Sequence, residues 1–355
     1  MAGEEFNINS PAKLGVILFE KLKLPVYKKT KSGYSTDKEV LEAIENSHEI
    51  VPAILEYRSL AKLKSTYIDG LINAVESDGR IHTTFMQAVT ATGRLSSVEP
   101  NLQNIPVRTE MGSKIRECFT VSSNEFKMID ADYSQIELRV LADMANDANM
   151  IDAYNKDEDI HSITASQVFN VPLEDVTKEL RSKAKAVNFG IVYGISDYGL
   201  AKNIHSTRAE AKEYIENYLN HYTGIANYMK EVIKSGEENG YVVTKFGRRR
   251  NVPELKSANY NTKNFGERVA MNMPIQGTAA DIMKIAMNNL YKKFKENNLK
   301  SKIVMQVHDE LIVEAVIAEI DKVKEFMLDS MENATKLKVP LAVDINIGDS
   351  WLEAK

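Results

Sequence analysis

The sequence has little of what secreted, zinc-binding or membrane proteins need. Cys118 is the only cysteine, which excludes an intrachain disulfide, and no cysteine or histidine residues have zinc-binding spacing. The longest apolar run, near Leu14–Phe19, is far shorter than the ~20 residues of a membrane span. Residues 1–5 lack the basic and apolar regions of a secretory signal. We therefore expect a soluble, intracellular protein that holds any metal through oxygen ligands.

The net charge is small, but the charged residues are unevenly spread. The net charge of −5 over 355 residues argues against a simple nucleic-acid coat protein, and the 43% hydrophobic content is ordinary for a globular chain. Residues 241–270, however, carry seven basic and two acidic side chains, whereas residues 143–159 carry six acidic and one basic. Such a distribution allows a basic groove beside an acidic surface.

Hydrophobic periodicity predicts helices and strands from distant parts of the chain, which indicates an α+β fold. Predicted helices are Pro11–Lys23, Asp37–Glu45, Glu49–Lys64, Ile136–Met144, most of His161–Glu237, Asn264–Asn297 and Glu319–Lys336. Predicted strands and hairpins are Phe126–Asp132, Tyr241–Val252, Lys302–Ala315 and Val343–Ile347, with short strands in Gly79–Arg116. Pro274 and Gly277 predict a break in the helix that contains them.

Two aspartates, Asp132 and Asp309, each end an apolar strand. A carboxylate at such a place costs desolvation energy unless it is paired or bound to a cation. A turn-forming aspartate is the ordinary alternative at a single position. The occurrence of two favours a site for Mg²⁺, which binds carboxylates and substrate phosphates, and two ions ~3.5–4 Å apart can promote phosphoryl transfer.

Arg181, Lys185, Phe189 and Tyr193 recur at every fourth residue. Each step of four residues turns about 40° past a full helical turn and rises about 6 Å. The two basic residues therefore share a face at the spacing of adjacent phosphates, and the aromatic residues continue that face with surfaces on which a base can stack. A helix with a basic end and an aromatic core end is the alternative. The sequence contains no Walker loop, so triphosphate binding would depend on this helix.

Six segments resemble conserved segments of the family A DNA polymerases, in the family's order. They are DYSQIELR at Asp132–Arg139 (motif A), the fourfold series from Arg181 to Tyr193 followed by Gly194 (motif B), VHDE at Val307–Glu310 (motif C), Thr92–Ser97, Pro100–Arg108 and Asn272–Asp281. The resemblance extends from about Phe6 to Lys355. It implies an α+β right-hand fold, with a partial thumb at 1–75, a palm at 76–145 and 262–355, and fingers at 146–261.

The resemblance also implies the reaction and its participants. A primer 3′-OH would attack the α-phosphate of a dNTP, under direction of a template, and release pyrophosphate. The implied partners are primer-template DNA and dNTPs, without a membrane, for a monomer that acts in the cytoplasm at the nucleoid in DNA replication or repair. Two Mg²⁺ ions, for which Mn²⁺ can substitute, would be held by Asp132, Asp309 and the backbone carbonyl of Tyr133.

Further roles follow from the same resemblance. Besides the two aspartates, Lys185 and Glu310 are the expected catalytic residues. Lys185 would serve the leaving pyrophosphate, and Glu310 would tune the acid pair, with an ordinary carboxylate at the tip of the hairpin as its alternative role. The residues expected to bind the dNTP are Arg181, Lys185, His161, Phe189, Tyr193, Gln135 and Glu137. Glu137 would exclude a ribose 2′-OH. The residues expected to bind DNA are Arg94, Asn101, Gln103, Tyr198, Arg268, Asn272, Gln276 and His308. Lys62 is a further expected DNA contact as a basic residue that can neutralise a phosphate, and a solvated helix face is the alternative for it.

The chain departs from the family pattern in three respects. It shows no exonuclease segment, and position 189 is Phe where some relatives have Tyr. The likeness begins inside the thumb, so we expect Leu14, Ile17 and Leu18 to be exposed where a preceding helix would cover them. Two alternatives remain: a single-subunit RNA polymerase, against which Glu137 argues, and an inactive primer-template-binding fragment, against which the intact motifs argue.

Overall fold

A computed structural model describes residues 1–31, 33–107 and 109–355. Arg108, the last residue of the segment Pro100–Arg108, lies outside this description. The chain forms two compact units, of which the first contains Met1–His82 and Ile105–Ile115 and the second Thr83–Asn104 and Arg116–Lys355. The α+β class is confirmed. None of the described helices has the length and apolar character that a membrane span requires.

The first unit is mostly helical. Its helices are α1 (Pro11–Gly15), α2 (Lys38–Ala43), α3 (Ile50–Lys62) and α4 (Gly70–Ile72), with α5 (Glu110–Glu117) starting in this unit, and its strands are β1 (Lys29–Thr30) and β2 (Gly33–Tyr34). Wider π-helical turns follow α1 at Val16–Lys21 and α3 at Leu63–Asp69. Helix α1 begins where the Ser10 hydroxyl accepts a hydrogen bond from the Lys13 backbone N–H, with Pro11 in the first turn, as helix starts favour.

The expectation that the first helix is exposed is wrong. Leu14, Ile17 and Leu18 are 0, 2 and 0% exposed. They form a core with residues of the next two helices, among them Val40 and Ile54. The apolar spacing identified the buried face correctly, but it could not show that α2 and α3 would supply the cover.

The second unit contains a four-stranded antiparallel sheet that positions the acidic residues. The strands of the second unit are β3 (Thr84–Met86), β4 (Ser96–Val98), β5 (Phe126–Tyr133), β6 (Tyr241–Val243), β7 (Arg249–Asn251), β8 (Lys302–Val307), β9 (Glu310–Val316) and β10 (Val343–Gly348). The large sheet has the order β10-β5-β9-β8, and β3-β4 and β6-β7 form two-stranded sheets. Both long predicted hairpins and both single strands are therefore confirmed.

The second unit also contains helices. They are α6 (Ile136–Ala145), α7 (Ala148–Asn155), α8 (Ile160–Phe169), α9 (Lys178–Val192), α10 (Asp197–Ile204), α11 (Arg208–His221), α12 (Thr223–Asn239), α13 (Tyr260–Glu296) and α14 (Ile320–Glu332). Residues of α6, α9, α13 and the sheet share one hydrophobic core, which includes Ile129, Leu138, Ile282 and Val313. This core fixes the ends of β5 and β9 relative to helix α9.

The predicted break in α13 is wrong, because the helix continues through Pro274 and Gly277. Its buried face extends across both positions, and the Thr278 hydroxyl donates a hydrogen bond to the Pro274 carbonyl. A Cβ on Gly277 would lie 2.5 Å from Thr244 Cγ2. The glycine therefore permits close approach of the β6–β7 hairpin, and tertiary packing outweighs the local helix-breaking tendency.

Candidate active site

The register of the sheet brings acidic residues together at the end of β5. Asp132 pairs across the ladder with Glu310 on β9 and with Asp344 on β10. Asp309 lies in the tight turn between β8 and β9, next to His308, whose φ of 55° is left-handed. The Tyr133 backbone N–H donates to the Asp309 carbonyl over 3.0 Å. The strand end and the turn, 177 residues apart in sequence, are thus held side by side.

A second sharp turn leads from β5 into α6. Gln135 has a φ of 54°, a conformation that costs a non-glycine residue on the order of 1 kcal/mol and is common at functional sites. The Tyr133 hydroxyl is anchored in the interior by donating to the Met331 carbonyl, and the Ser134 N–H donates to the Ala342 carbonyl. These contacts fix the backbone of this turn beside the acids.

The acids and helix α9 line one open cleft with a volume of about 480 Å³. The expected site residues that line it are Arg94, Asp132, Tyr133, Gln135, Glu137, His161, Arg181, Lys185, Phe189, Tyr193, His308 and Asp309. Ser134, Ile136 and Asp344 complete the lining. The structure therefore collects residues from all three recognised motifs in a single cavity.

Burial disfavours the ionised forms of Asp132 and Asp309. Burial, and then the charge of Asp132, raise the pKa of Asp309 to about 6. Burial also raises the pKa of Asp132, although Lys355 opposes the shift. No group of three or more His, Cys, Asp or Glu side chains placed to hold a metal occurs within the described residues. Two carboxylates that line one cleft fit hard divalent ions such as Mg²⁺, because such ions complete their shell with phosphate oxygens and water.

Helix α9 presents its basic residues to the cleft. It begins where the Thr177 hydroxyl accepts from the Leu180 N–H, and Tyr193 follows its last turn. Arg181 makes a two-point contact with Asp159, with Nε 2.5 Å from Oδ2 and Nη2 3.2 Å from Oδ1. Burial opposes ionisation of Asp159, but the hydrogen bond from Arg181 and others lower its pKa to about 2. The guanidinium is thus oriented in advance.

His161 is buried beside α9 and is neutral at physiological pH. Burial, and then the charge of Arg181, lower the pKa of His161 to about 4. Its Nδ1 lies 3.0 Å from the side-chain nitrogen of Asn188. Because an amide nitrogen donates, Nδ1 accepts and the proton lies on Nε2. His161 therefore can offer a neutral N–H donor to the cleft.

Glu137 is 6% exposed although it lines the cleft. One carboxylate oxygen pairs with Arg94 and the other accepts from the Tyr193 hydroxyl. Both oxygens are therefore satisfied, which a buried carboxylate requires. The three side chains connect the β3–β4 segment, α6 and the end of α9.

A second cavity of about 210 Å³ adjoins Tyr193. Its lining includes Arg268, Asn272 and Gln276, which recur at every fourth residue of α13, together with Phe265 and Arg250. Within the described part of the chain, Asn272 Oδ1 is buried and has no hydrogen-bond partner. This cavity offers polar contacts along one helix face.

Some of the residues that were expected to bind DNA line neither of these two cavities. Gln103 accepts from the Ser97 N–H and donates to the Gln306 carbonyl, and Asn101 accepts from the Gln103 N–H. Tyr198 is 56% exposed on α10. Lys62 is exposed at the end of α3 in the first unit.

Glu310 is 4% exposed, and it is not among the described residues that line the cleft of about 480 Å³. Its side chain contacts Arg116, Trp351 and Lys355 instead. The catalytic role expected for Glu310 therefore stays a prediction.

Four charged residues near the site escaped sequence reasoning. They are Asp130, Asp159, Asp344 and Lys355. Asp130 could have been found, because the two-residue period of a strand places it on the same face as Asp132. The other three give no local signal. The sheet register brings Asp344 to Asp132, packing of the C-terminal residues brings Lys355 there, and packing of α8 against α9 brings Asp159 to Arg181.

Comparisons with known proteins agree with this geometry. The sequence model of DNA polymerase family A matches residues 1–353. The chain is 56% identical to DNA polymerase I of Caldicellulosiruptor bescii and 54% identical to that of Geobacillus stearothermophilus, each over 356 residues. These matches cover 100% of this chain but only 42% and 41% of the relatives.

A solved structure is also similar. It is the POL domain of Pol1 from M. smegmatis in complex with DNA primer-template and dNTP, with 45% identity and a TM-score of 0.94. The match covers 99% of this chain and 62% of that one. This likeness confirms the predicted polymerase fold.

Proposed function

Since this chain belongs to DNA polymerase family A, we propose that it adds dNTPs to a primer 3′-OH as a template directs, with release of pyrophosphate. The observation that carries the proposal is the cleft itself. It joins the Asp132–Asp309 pair to Arg181, Lys185 and Phe189, which are the groups that positioning and charge stabilisation of phosphoryl transfer require.

The acids, and the carbonyl of Tyr133, are the groups that would hold two Mg²⁺ or Mn²⁺ ions. When bound, the ions supply positive charge to the reacting phosphate oxygens. Around them, Arg181 and Lys185 bind the triphosphate, and the His161 N–H adds a neutral donor. Lys185 provides charge or a proton to the departing pyrophosphate.

The sugar and base of the dNTP have their own contacts in the proposal. Phe189 packs on the sugar and base, and Gln135 lies near the sugar. Glu137 is fixed from two sides, so its carboxylate cannot swing away from a ribose 2′-OH without losing both partners. Tyr193 lines both cavities, and its side chain lies at the position of the template base.

We further propose that the α13 cavity receives the minor groove of the new base pair. Arg268 and Gln276 offer donors from this cavity, and Arg94 and His308 offer donors from the neighbouring cleft. The acceptors of A·T and T·A pairs are equivalent in that groove. Donors that contact these acceptors can therefore check the shape of the new base pair without distinguishing its sequence. Asn272 completes this set. Tyr198, Asn101, Gln103 and Lys62 are proposed as further DNA contacts.

The thumb, palm and fingers are assigned to residues 1–75, to 76–145 with 262–355, and to 146–261. The chain spans about two fifths of the curated relatives, so their full activities are not carried over. We propose a monomer that works on DNA in the cytoplasm. The DNA-bound relative from M. smegmatis supports this choice of partner.

Primer extension tests the proposal against its alternatives. The chain is given a labelled primer-template with Mg²⁺, first with dNTPs and then with rNTPs. We expect extension with dNTPs alone. Preference for rNTPs would favour an RNA polymerase, and DNA binding without extension would favour an inactive binding fragment.

A further inference from the structure

The acidic end of the sheet contains a basic side chain that the proposed chemistry does not use. Lys355 Nζ lies 2.7 Å from Asp132 Oδ2 and 2.9 Å from Glu310 Oε2. It also lies 3.9 Å from Asp130 Oδ2. The ammonium therefore engages an oxygen of Asp132, one of the two acids that the proposed metal site needs.

Glu310, one of the neighbouring acids, is held in place from the other side. Glu310 Oε1 accepts from Trp351 Nε1 over 2.5 Å and lies 3.4 Å from Arg116 Nη1. The guanidinium of Arg116 stacks 3.8 Å above the Trp351 ring. Glu310 Oε2 is thus presented to Lys355 by a fixed carboxylate.

Asp130 is a further buried neighbour of the ammonium. It is 2% exposed, and within the described part of the chain neither of its carboxylate oxygens has a hydrogen-bond donor. Lys355 can consequently leave Asp132 and remain beside Glu310 and Asp130. A lysine suits this role, because its charge is compact and its four-carbon chain is flexible.

We propose that Lys355 is a positioning residue that acts as an internal cation for Asp132. Without a divalent ion, the ammonium neutralises Asp132 and holds its carboxylate in place. When the ion binds, the ammonium gives up Asp132 and stays with Glu310 and Asp130. This inference rests on the proposed function, in which Asp132 is a metal ligand.

A measurable consequence concerns metal affinity. An ammonium within a few ångströms repels a divalent ion in a partly buried site. Lys355→Met should therefore bind Mn²⁺ about tenfold more tightly than the unaltered chain, since each factor of ten corresponds to about 1.4 kcal/mol. Lys355→Arg keeps the charge and should bind Mn²⁺ as the unaltered chain does.

The experiment is a titration of the chain with Mn²⁺, without DNA or nucleotide, in which free Mn²⁺ is followed by electron paramagnetic resonance. Lys127→Met is the matched control, because Lys127 has a similar exposure, 35% against 36%, and an ion pair of 2.6 Å with Asp349. It should not change the affinity.

The Asp309→Asn variant tests the metal site independently of the proposal for Lys355. If Asp309→Asn weakens Mn²⁺ binding while Lys355→Met leaves it equal or weaker, the lysine proposal is overturned and the metal site stands. If Asp309→Asn and Asp132→Asn both leave Mn²⁺ binding unchanged, the metal site and the lysine proposal are overturned together.

Discussion

The Tyr193 hydroxyl donates a hydrogen bond of 2.6 Å to Glu137 Oε2. This contact joins the residue that follows α9 to the first turn of α6, next to the strand that contains Asp132. Arg94 takes the other carboxylate oxygen. A side chain that sequence reasoning assigned to the sugar is thus immobilised at the wall of the cleft.

Shortening Glu137 should relax the choice of sugar. Glu137→Ala removes the carboxylate that would occupy the place of a 2′-OH, and we expect the rNTP/dNTP ratio of kcat/KM to rise about 10²-fold or more, since a few kcal/mol correspond to that factor. Glu137→Gln keeps the size and serves as the control. An unchanged ratio in the alanine variant would rule out the steric role.

Neutralising either acid should stop extension without preventing DNA binding. In Asp132→Asn and Asp309→Asn the proposed metal ligands are lost, whereas most DNA affinity comes from backbone contacts elsewhere. Gel-shift and primer-extension assays measure the two effects separately. Asp349→Asn, which alters an exposed ion pair with Lys127, should extend normally. Near-normal extension by an Asp132 or Asp309 variant would contradict the assignment.

Lys185 should affect the chemical step more than nucleotide binding. A side chain that gives charge or a proton to a leaving group contributes about 10²–10⁴-fold. Lys185→Ala should therefore reduce the single-turnover rate by about that factor, and Lys185→Arg should recover part of it. A rate equal to that of the unaltered chain would show that the leaving group receives no help from this residue.

The neutral state of His161 predicts a dependence of stability on pH. The pKa of His161 is about 4 in the folded chain and about 6.5 when unfolded. Between these values only the unfolded state takes up the proton, so stability falls as pH decreases from about 6.5 to about 4, by at most about 1.4 kcal/mol per pH unit.

His161→Gln should lose less stability over the same range. The urea midpoints of both proteins at about pH 7 and pH 5 measure the difference. Equal losses would mean that the histidine takes up its proton in the folded state as well.

Replacement of Gly277 by a larger residue should lower the stability of the fold. Alanine normally favours a helix over glycine by about 1 kcal/mol, but here its Cβ would lie 2.5 Å from Thr244 Cγ2 and 3.1 Å from the Thr92 carbonyl oxygen. We expect Gly277→Ala to destabilise the fold by about 1–3 kcal/mol.

Gly70→Ala is the matched helical control for this substitution. The atom nearest to its new Cβ is the Ser65 carbonyl oxygen at 3.5 Å, so it should be neutral or stabilising by up to about 1 kcal/mol. Thermal unfolding distinguishes the two substitutions. A Gly277→Ala protein that is as stable as the Gly70→Ala protein would contradict the packing argument.

Apolar patterns along strands and a four-residue spacing along one helix were sufficient to predict several elements of the fold and of the site. The alternating and continuous apolar runs around Asp132 and Asp309 were sufficient to identify β5 and the β8–β9 hairpin, because both are buried strands with polar ends. The spacing from Arg181 to Tyr193 likewise predicted one helix face. The structure brings these segments to the same cleft.

Contacts between distant segments could not be predicted in this way. Nothing near Lys355 in the sequence indicates that its ammonium meets Asp132, because the contact depends on how the C-terminal residues pack beyond β10. The cover over Leu14 and the continuity of α13 through Pro274 are decided by tertiary packing as well. Local patterns identify the face that is buried, but not its partner.

Single-nucleotide incorporation tests the central claim most directly. Four primer-templates that differ only in the first template base are incubated with the chain, Mg²⁺ and each dNTP in turn. We predict that each template accepts its complementary dNTP at a rate far above the other three. Addition of the same nucleotide to all four templates, or of none, would contradict template-directed DNA synthesis in this cleft.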